Sequence, residues 1–293
     1  MKTNKKKGRT NLLSRIVEIL LFIFILIVFL FSLSKVIAIT TEYKAGRDEY
    51  KDLEHFIEIP AELETPAAAS SEKEENTTET AESSEQISTE TTEEKLQMKY
   101  NDQFLDIAVD FKSLESMNSD FEGWLYIPAL NINYPVVLGA DNDYYLTHTF
   151  QKAENSAGAL FLDQSTGTPF RDYNTIIHGH DMKNGSMFGK LDTFYRDTKS
   201  YTDNPYFYVY TEEGAYKYLI FSYYVANAIS DTYQLPANEE TYLTYKNYVA
   251  KQAIWQDVEG IPHVAPIVTL STCYGNTYTD KRFVVHGIMV DSR

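Results

Sequence analysis

The sequence predicts a mainly β domain with helices, an α+β fold. Its expected form is a closed or half-closed eight-stranded β-barrel, preceded by a helix and carrying a helical insertion before the strand that ends in Cys273. Three observations predict this. About eight short apolar or β-branched runs, separated by turn residues, fill the chain from Phe121 to Val290. A helical spacing interrupts them once, over Asn238–Ile254, where Tyr242, Leu243, Tyr245, Tyr248, Val249 and Ile254 recur and Asn238 is placed to cap. An amphipathic helical pattern over Leu96–Leu114, stopped by Asn118-Ser119-Asp120, precedes the first strand.

Composition divides the chain before that domain begins. Residues 1–15 are basic, with Lys2, Lys5, Lys6, Lys7, Arg9 and Arg15. Residues 16–39 are almost unbroken apolar side chain, and Ile19–Phe31 contains no polar side-chain atom. Roughly 20 such residues span a bilayer as a helix. Basic residues before the run, with Glu42, Asp48 and Glu49 after it, predict a single-pass anchor. The N-terminus would then be cytoplasmic and everything else outside the cell membrane. A cleavable signal peptide is the alternative, but its apolar region is shorter, about 7–15 residues, and Val36-Ile37-Ala38 is a poor cleavage site.

Residues 40–95 read as an extracellular Glu/Thr-rich spacer, with Thr40–Ile59 a short helix continuing from the membrane and the disordered part running from Pro60 to about Glu94. Between Ala61 and Lys95 eleven Glu face two Lys, which supplies more than half of the net charge of −16. With almost no large apolar residue, such a stretch cannot bury enough surface to offset its ordering entropy. Asn76-Thr77-Thr78 fits a glycosylation pattern. The domain proper is expected over 96–293. It is only mildly acidic, which gives no surface for nucleic acid.

The strands follow in order. Trp124–Pro128 and Ile132–Val137 flank a turn, and Ala159–Leu162 and Asn174–His178 come next. Tyr206–Tyr210 and Ala215–Val225 are joined by Thr211-Glu212-Glu213-Gly214, which suggests a hairpin. Ala265–Leu270 and Arg282–Val290 close the chain, with Gly275, Asn276 and Asp280 marking a loop between them.

The chemistry converges on this last pair. Cys273 is the only cysteine, so no intrachain disulfide is possible. An unpaired thiol outside the cell needs a reason. If the strands on either side pair, Cys273 and Arg282 face each other across one end of a sheet. A thiolate is a nucleophile, and a guanidinium hydrogen-bonds an anionic oxygen. The bland reading of a lone cysteine is a small core residue. A proton donor is also needed, most often His. Of six histidines, His55, His148 and His263 lack local support, and His286 is mid-strand. His178 and His180, in Ile177-His178-Gly179-His180-Asp181, end a strand and open a loop. His178, His180 and Asp181 as metal ligands is the weaker alternative, since no further ligand of the usual kind lies nearby.

Taken together, these residues resemble the sortases, membrane-anchored cysteine transpeptidases of Gram-positive bacteria. Thr269-Leu270-Ser271-Thr272-Cys273, Arg282 at the start of the next strand and Gly179-His180 match the family pattern. Asp141–Leu146, Gly158–Asp163, Asn174–Phe188 and the helical insertion look like class B in particular. The resemblance implies Cys273 as nucleophile, His180 as proton donor and Arg282 as oxyanion partner. It implies that Asn142, Leu146, His178, Ser271 and Thr272 line the substrate groove, with Thr272 orienting rather than reacting. Class B enzymes often carry Tyr where this chain has His178, a departure that bears on substrate choice. The implied partners are surface proteins bearing a C-terminal sorting signal, cleaved after Thr. The acceptor is an amine of the peptidoglycan cross-bridge or of a pilin lysine, and no metal or other cofactor is required. A hydrolase using water, and an anchored binding domain, are the rival readings.

Overall fold

The computed structural model describes residues 5–59, 104–193, 204–253, 255–256, 261–275 and 280–293. The chain divides into two compact units, 1–48 and 49–293. A single helix, α1 (Lys5–Leu53), crosses the boundary between them. No proline occurs before Pro60 to break it. Serine and threonine hydroxyls turn back onto its own carbonyls, as Thr41 Oγ1 does to Ile37 O at 2.8 Å. The side chains from Ile16 to Ile39 are exposed, and the most apolar window has a mean hydropathy of 3.2. The N-terminal apolar helix expected from the sequence is therefore present.

The helix expected to continue past residue 40 is present, but its end belongs to the folded unit and not to a spacer. α1 continues unbroken to Leu53, and Tyr50 and Leu53 are buried in the second unit. A short 3-10 turn at Glu54–Phe56 leads into β1 (Ile57–Glu58), which pairs antiparallel with β2 (Ala108–Val109). Strands β1 and β2, far apart in sequence, are thus neighbours in the folded unit. The acidic segment is an insertion within the unit, and none of it separates the apolar helix from the domain in sequence. Most of that segment, including Asn76, lies outside the described residues.

The helix expected over Leu96–Leu114 also differs. Residues 96–103 lie outside the described residues, and Phe104–Ile107 has no regular structure. Phe104, Leu105 and Ile107 are buried, so their apolar spacing reflects irregular chain laid on a core. Helix begins only at α2 (Phe111–Met117), capped by Asp110 accepting from the Ser113 amide.

From there the barrel is built by β3 (Phe121–Ile127), β4 (Ile132–Val137), β5 (Leu160–Leu162), β6 (Asn174–His178), β7 (Tyr206–Thr211), β8 (Gly214–Asn227), β10 (Ile267–Cys273) and β11 (Lys281–Ser292). Their order is β11-β10-β6-β5-β4-β3-β7-β8, and β8 pairs again with β11 to close the ring, while β9 (Trp255–Gln256) adds to β8 outside it. The ladders are antiparallel except β4–β5 and β6–β10. Full closure removes free edges. The β7–β8 hairpin turns through Glu212-Glu213, as expected, with Thr211 paired to Gly214.

Helix α3 (Glu239–Gln252) covers one outer face. Asn238 and Thr241 form its capping box, and Tyr242, Tyr245 and Val249 bury one stripe at helical spacing. This explains why β8 is buried continuously from Tyr216 to Tyr224 instead of alternating. Beneath α3 lies a polar cluster. Thr269 Oγ1 reaches Asn174 Oδ1 at 2.8 Å, His286 Nδ1 at 2.9 Å and Tyr245 Oη at 3.2 Å. His286 is fully buried, and burial pushes it down to about 3. It is a core residue, and its Nε2 meets no partner among the described residues.

Candidate active site

β10 is buried along its length except for Cys273, which emerges at its end. Two register relationships set what surrounds it. On one side β11 pairs antiparallel and places Arg282 directly opposite Cys273. On the other, β6 runs parallel and places His178 opposite Ser271. Because strand side chains alternate, Thr269, Ser271 and Cys273 share one face. That face passes from beneath α3 to the open end of the barrel. Pairing continues one step past the cysteine, where the Tyr274 amide donates to Lys281 O at 3.1 Å, and Gly275 then turns with φ +84°. The guanidinium also donates through Nη1 to Lys281 O at 3.0 Å.

His180 lies just past the end of β6. The Gly179 amide donates to Ser271 O at 3.1 Å, and Thr272 Oγ1 donates to Gly179 O at 2.8 Å. Thr272 thus ties the two strand ends together, an orienting contact. Only glycine fits at 179, where a Cβ would come within 2.4 Å of Leu160 and 2.7 Å of Phe188. The His180 backbone is held by the Phe188 amide donating to its carbonyl at 3.0 Å. Its ring is held by Leu146, whose carbonyl lies 2.7 Å from Nε2. A carbonyl only accepts, so Nε2 carries a hydrogen and Nδ1 is the nitrogen left for chemistry. The segment that supplies Leu146 is itself braced from α1. Tyr50 Oη donates to Gly158 O at 2.6 Å and accepts from the Phe150 amide at 3.1 Å.

All eight residues singled out from the sequence line one cleft of about 330 Å³: Asn142, Leu146, His178, His180, Ser271, Thr272, Cys273 and Arg282. Sequence reasoning missed two polar neighbours. Asp163 pairs with His178, Nε2 to Oδ2 at 3.0 Å, and also accepts from Asn142 Nδ2 at 3.1 Å. The hydrogen bond from His178 holds the Asp163 carboxyl down at about 2, against the desolvation that opposes it. A carboxylate directly after an apolar strand was the signal available for it. Tyr233, in a 3-10 turn at Asp231–Tyr233, reaches Ser271 Oγ at 2.8 Å. Burial pushes its phenol up, while the Arg282 charge opposes and Cys273 adds to the shift. No local pattern marked it.

The two histidines thus have separate partners, a carboxylate and a carbonyl. The described residues contain no group of three His, Cys, Asp or Glu arranged around a common metal position.

Comparison with known proteins identifies the family and the fold. Residues 125–290 match the Sortase domain. Sortase B of Listeria monocytogenes is 32% identical over 185 residues, covering 62% of this chain and 74% of that protein. Sortase B of Staphylococcus aureus is 28% identical over 212 residues, covering 69% and 83%. The X-ray structure of Clostridium perfringens sortase B superposes with a TM-score of 0.57 at 30% identity, covering 61% of this chain and 99% of that one. A domain match across more than half the chain, a closed barrel of the same kind and these relatives lead to one conclusion: the chain belongs to the sortase family of cysteine transpeptidases, class B.

Proposed function

We propose that this protein is a membrane-anchored transpeptidase that joins secreted surface proteins to the peptidoglycan cross-bridge. The observation that carries the reading is the convergence of Cys273, His180 and Arg282 on one cleft at the end of β6, β10 and β11. The α1 apolar run, exposed on all its side chains, supports a single-pass anchor with the domain outside the cell.

The Cys273 thiolate attacks the carbonyl of the Thr in a C-terminal sorting signal. Arg282, opposite it in register, donates hydrogen bonds to the oxyanion as the tetrahedral intermediate forms. Collapse breaks the C–N bond, and protonated His180 gives its proton to the departing amine. The Thr carbonyl is now a thioester on Cys273. An acceptor amine attacks it and passes a proton back to neutral His180, and the new amide leaves as the Cys273 thiolate reforms. Thr272 and Leu146 hold the two reacting side chains in place through Gly179 O and His180 Nε2. Asn142, Leu146, His178 and Ser271 form the groove walls.

Mass spectrometry of Cys273 in cells expressing the full chain tests this directly. The expected adduct is a peptide ending in Thr as a thioester, discharged by added amine into an amide. Discharge to free acid alone, at any amine concentration, would replace the transferase with a hydrolase. Unchanged surface-protein processing by Cys273→Ala would remove the thiol from the mechanism.

A further inference from the structure

The proposed chemistry leaves one built feature of the cleft unexplained, the pairing of His178 with Asp163. His178 ends β6 opposite both Ser271 and Phe161. Its side chain is 25% exposed and that of Asp163 18%. Asp163 is itself fixed, because Oδ1 accepts from the Ser165 amide at 2.9 Å while Oδ2 faces both His178 and Asn142. Asn142 is set in turn, its Oδ1 accepting from the Gln164 amide at 2.7 Å. An ionised carboxylate only accepts, so the hydrogen of the neutral His178 ring must sit on Nε2. Nδ1 is then a bare acceptor. Among the described residues no hydrogen bond reaches it. The ring plane is held by Phe161, 5.3 Å away, and Tyr233, stacked at 6.3 Å.

We propose that His178 is a specificity-determining residue: locked in one tautomer by Asp163, it accepts through Nδ1 a hydrogen bond from a donor-bearing side chain of the sorting peptide, an amide or hydroxyl, and selects against side chains that only accept. This rests on the acyl-transfer reading of the cleft. A tyrosine in the same place both donates and accepts, so it draws no such distinction.

The probe is the peptide recovered as the Cys273 thioester, resynthesised with glutamine or N,N-dimethylglutamine at each position before the scissile bond. The dimethyl side chain keeps its carbonyl and its neutrality but has no N–H. With the full chain in detergent near neutral pH, one position is expected to show kcat/KM for acylation about tenfold higher for glutamine, the worth of one such hydrogen bond. Asp163→Asn should abolish that preference, read as the ratio of the two peptides, while kcat/KM for both falls because the new NH2 also faces the Asn142 Nδ2 donor. The Ser165 amide keeps the carboxamide oxygen on its own side and turns the NH2 toward His178 Nε2. The ring hydrogen then moves to Nδ1, which becomes a donor that both peptides satisfy. His178→Phe should abolish the preference as well.

A preference that persists in both variants is steric and overturns the inference. So does a wild-type enzyme with no preference at any position, or variants that slow both peptides equally while the preference remains. Absence of any Cys273 adduct overturns the acyl-transfer reading itself, a distinct result.

Discussion

Cys273 and Arg282 are the final register pair of the antiparallel β10–β11 ladder, directly opposite each other where the barrel opens. Nine positions apart in sequence, they are fixed by a ladder that is buried immediately behind them. The thiol is exposed, yet its backbone belongs to the rigid sheet. This combination lets a reactive group be presented without the positional freedom of a loop.

Arg282→Lys keeps the charge and loses the planar fork of donors. We expect kcat to fall about 100-fold, the scale for losing one oxyanion donor, with folding unchanged because Arg282 lies at the barrel rim. Steady-state kinetics with a sorting peptide checks this. A rate near that of wild type would remove Arg282 from oxyanion stabilisation.

Gly179→Ala places a methyl group 2.4 Å from Leu160 and 2.7 Å from Phe188. Overpacking of this kind costs about 1–3 kcal/mol. The strain falls on the residue between the two cleft histidines, so kcat should drop together with Tm. Thermal unfolding and kinetics on one preparation would show the coupling, and an unchanged Tm would contradict the packing argument.

Tyr50→Phe removes a hydroxyl that both donates to Gly158 O and accepts from the Phe150 amide. Leaving two buried backbone groups unpaired costs about 2 kcal/mol. A Cβ at Gly158 would lie 3.2 Å from the His180 ring, so loosening this segment should also lower kcat more than it changes KM. Urea unfolding and kinetics test the two parts separately. Stability equal to wild type would show that α1 does not brace the segment.

Acid should destabilise the protein well before its carboxylates protonate. Burial pushes His286 down to about 3 from its ordinary value of 6.5. The unfolded chain takes up this proton below that ordinary value, while the folded chain resists. Stability is therefore fully present above about pH 6.5 and falls toward pH 3, with a limiting slope of about 1.4 kcal/mol per pH unit. Asp163, held down at about 2 against 3.8, adds a further loss in the same direction, below its ordinary value. Urea titrations of wild type and His286→Gln across this range would resolve the histidine contribution. An identical slope in both would place the linked proton elsewhere.

The sequence by itself determined the elements whose signal is local. The apolar α1 run, the β-branched strands, the Thr211–Gly214 hairpin and the capped α3 helix each carry their own periodicity or turn chemistry, and each appears where the pattern put it. The thiol at a strand end and the guanidinium at the start of the next were legible for the same reason, since adjacent strands joined by a turn tend to pair. Where the pattern is shared by two states it misled. Phe104, Leu105 and Ile107 are spaced like a helix face but are buried as irregular chain, because tertiary burial outweighs a short periodicity.

Only the tertiary structure decided what depends on residues distant in the chain. The parallel β6–β10 pairing brings His178 to Ser271 across more than ninety residues, and no local pattern specifies it. The same holds for Asp163 beneath His178, for Tyr233 on Ser271, and for Tyr50 bracing the segment that holds His180. The pairing of β1 with β2, far apart in sequence, also belongs here. Periodicity reports which face a residue presents, whereas partner choice follows from the closing of the barrel, a property of the whole chain.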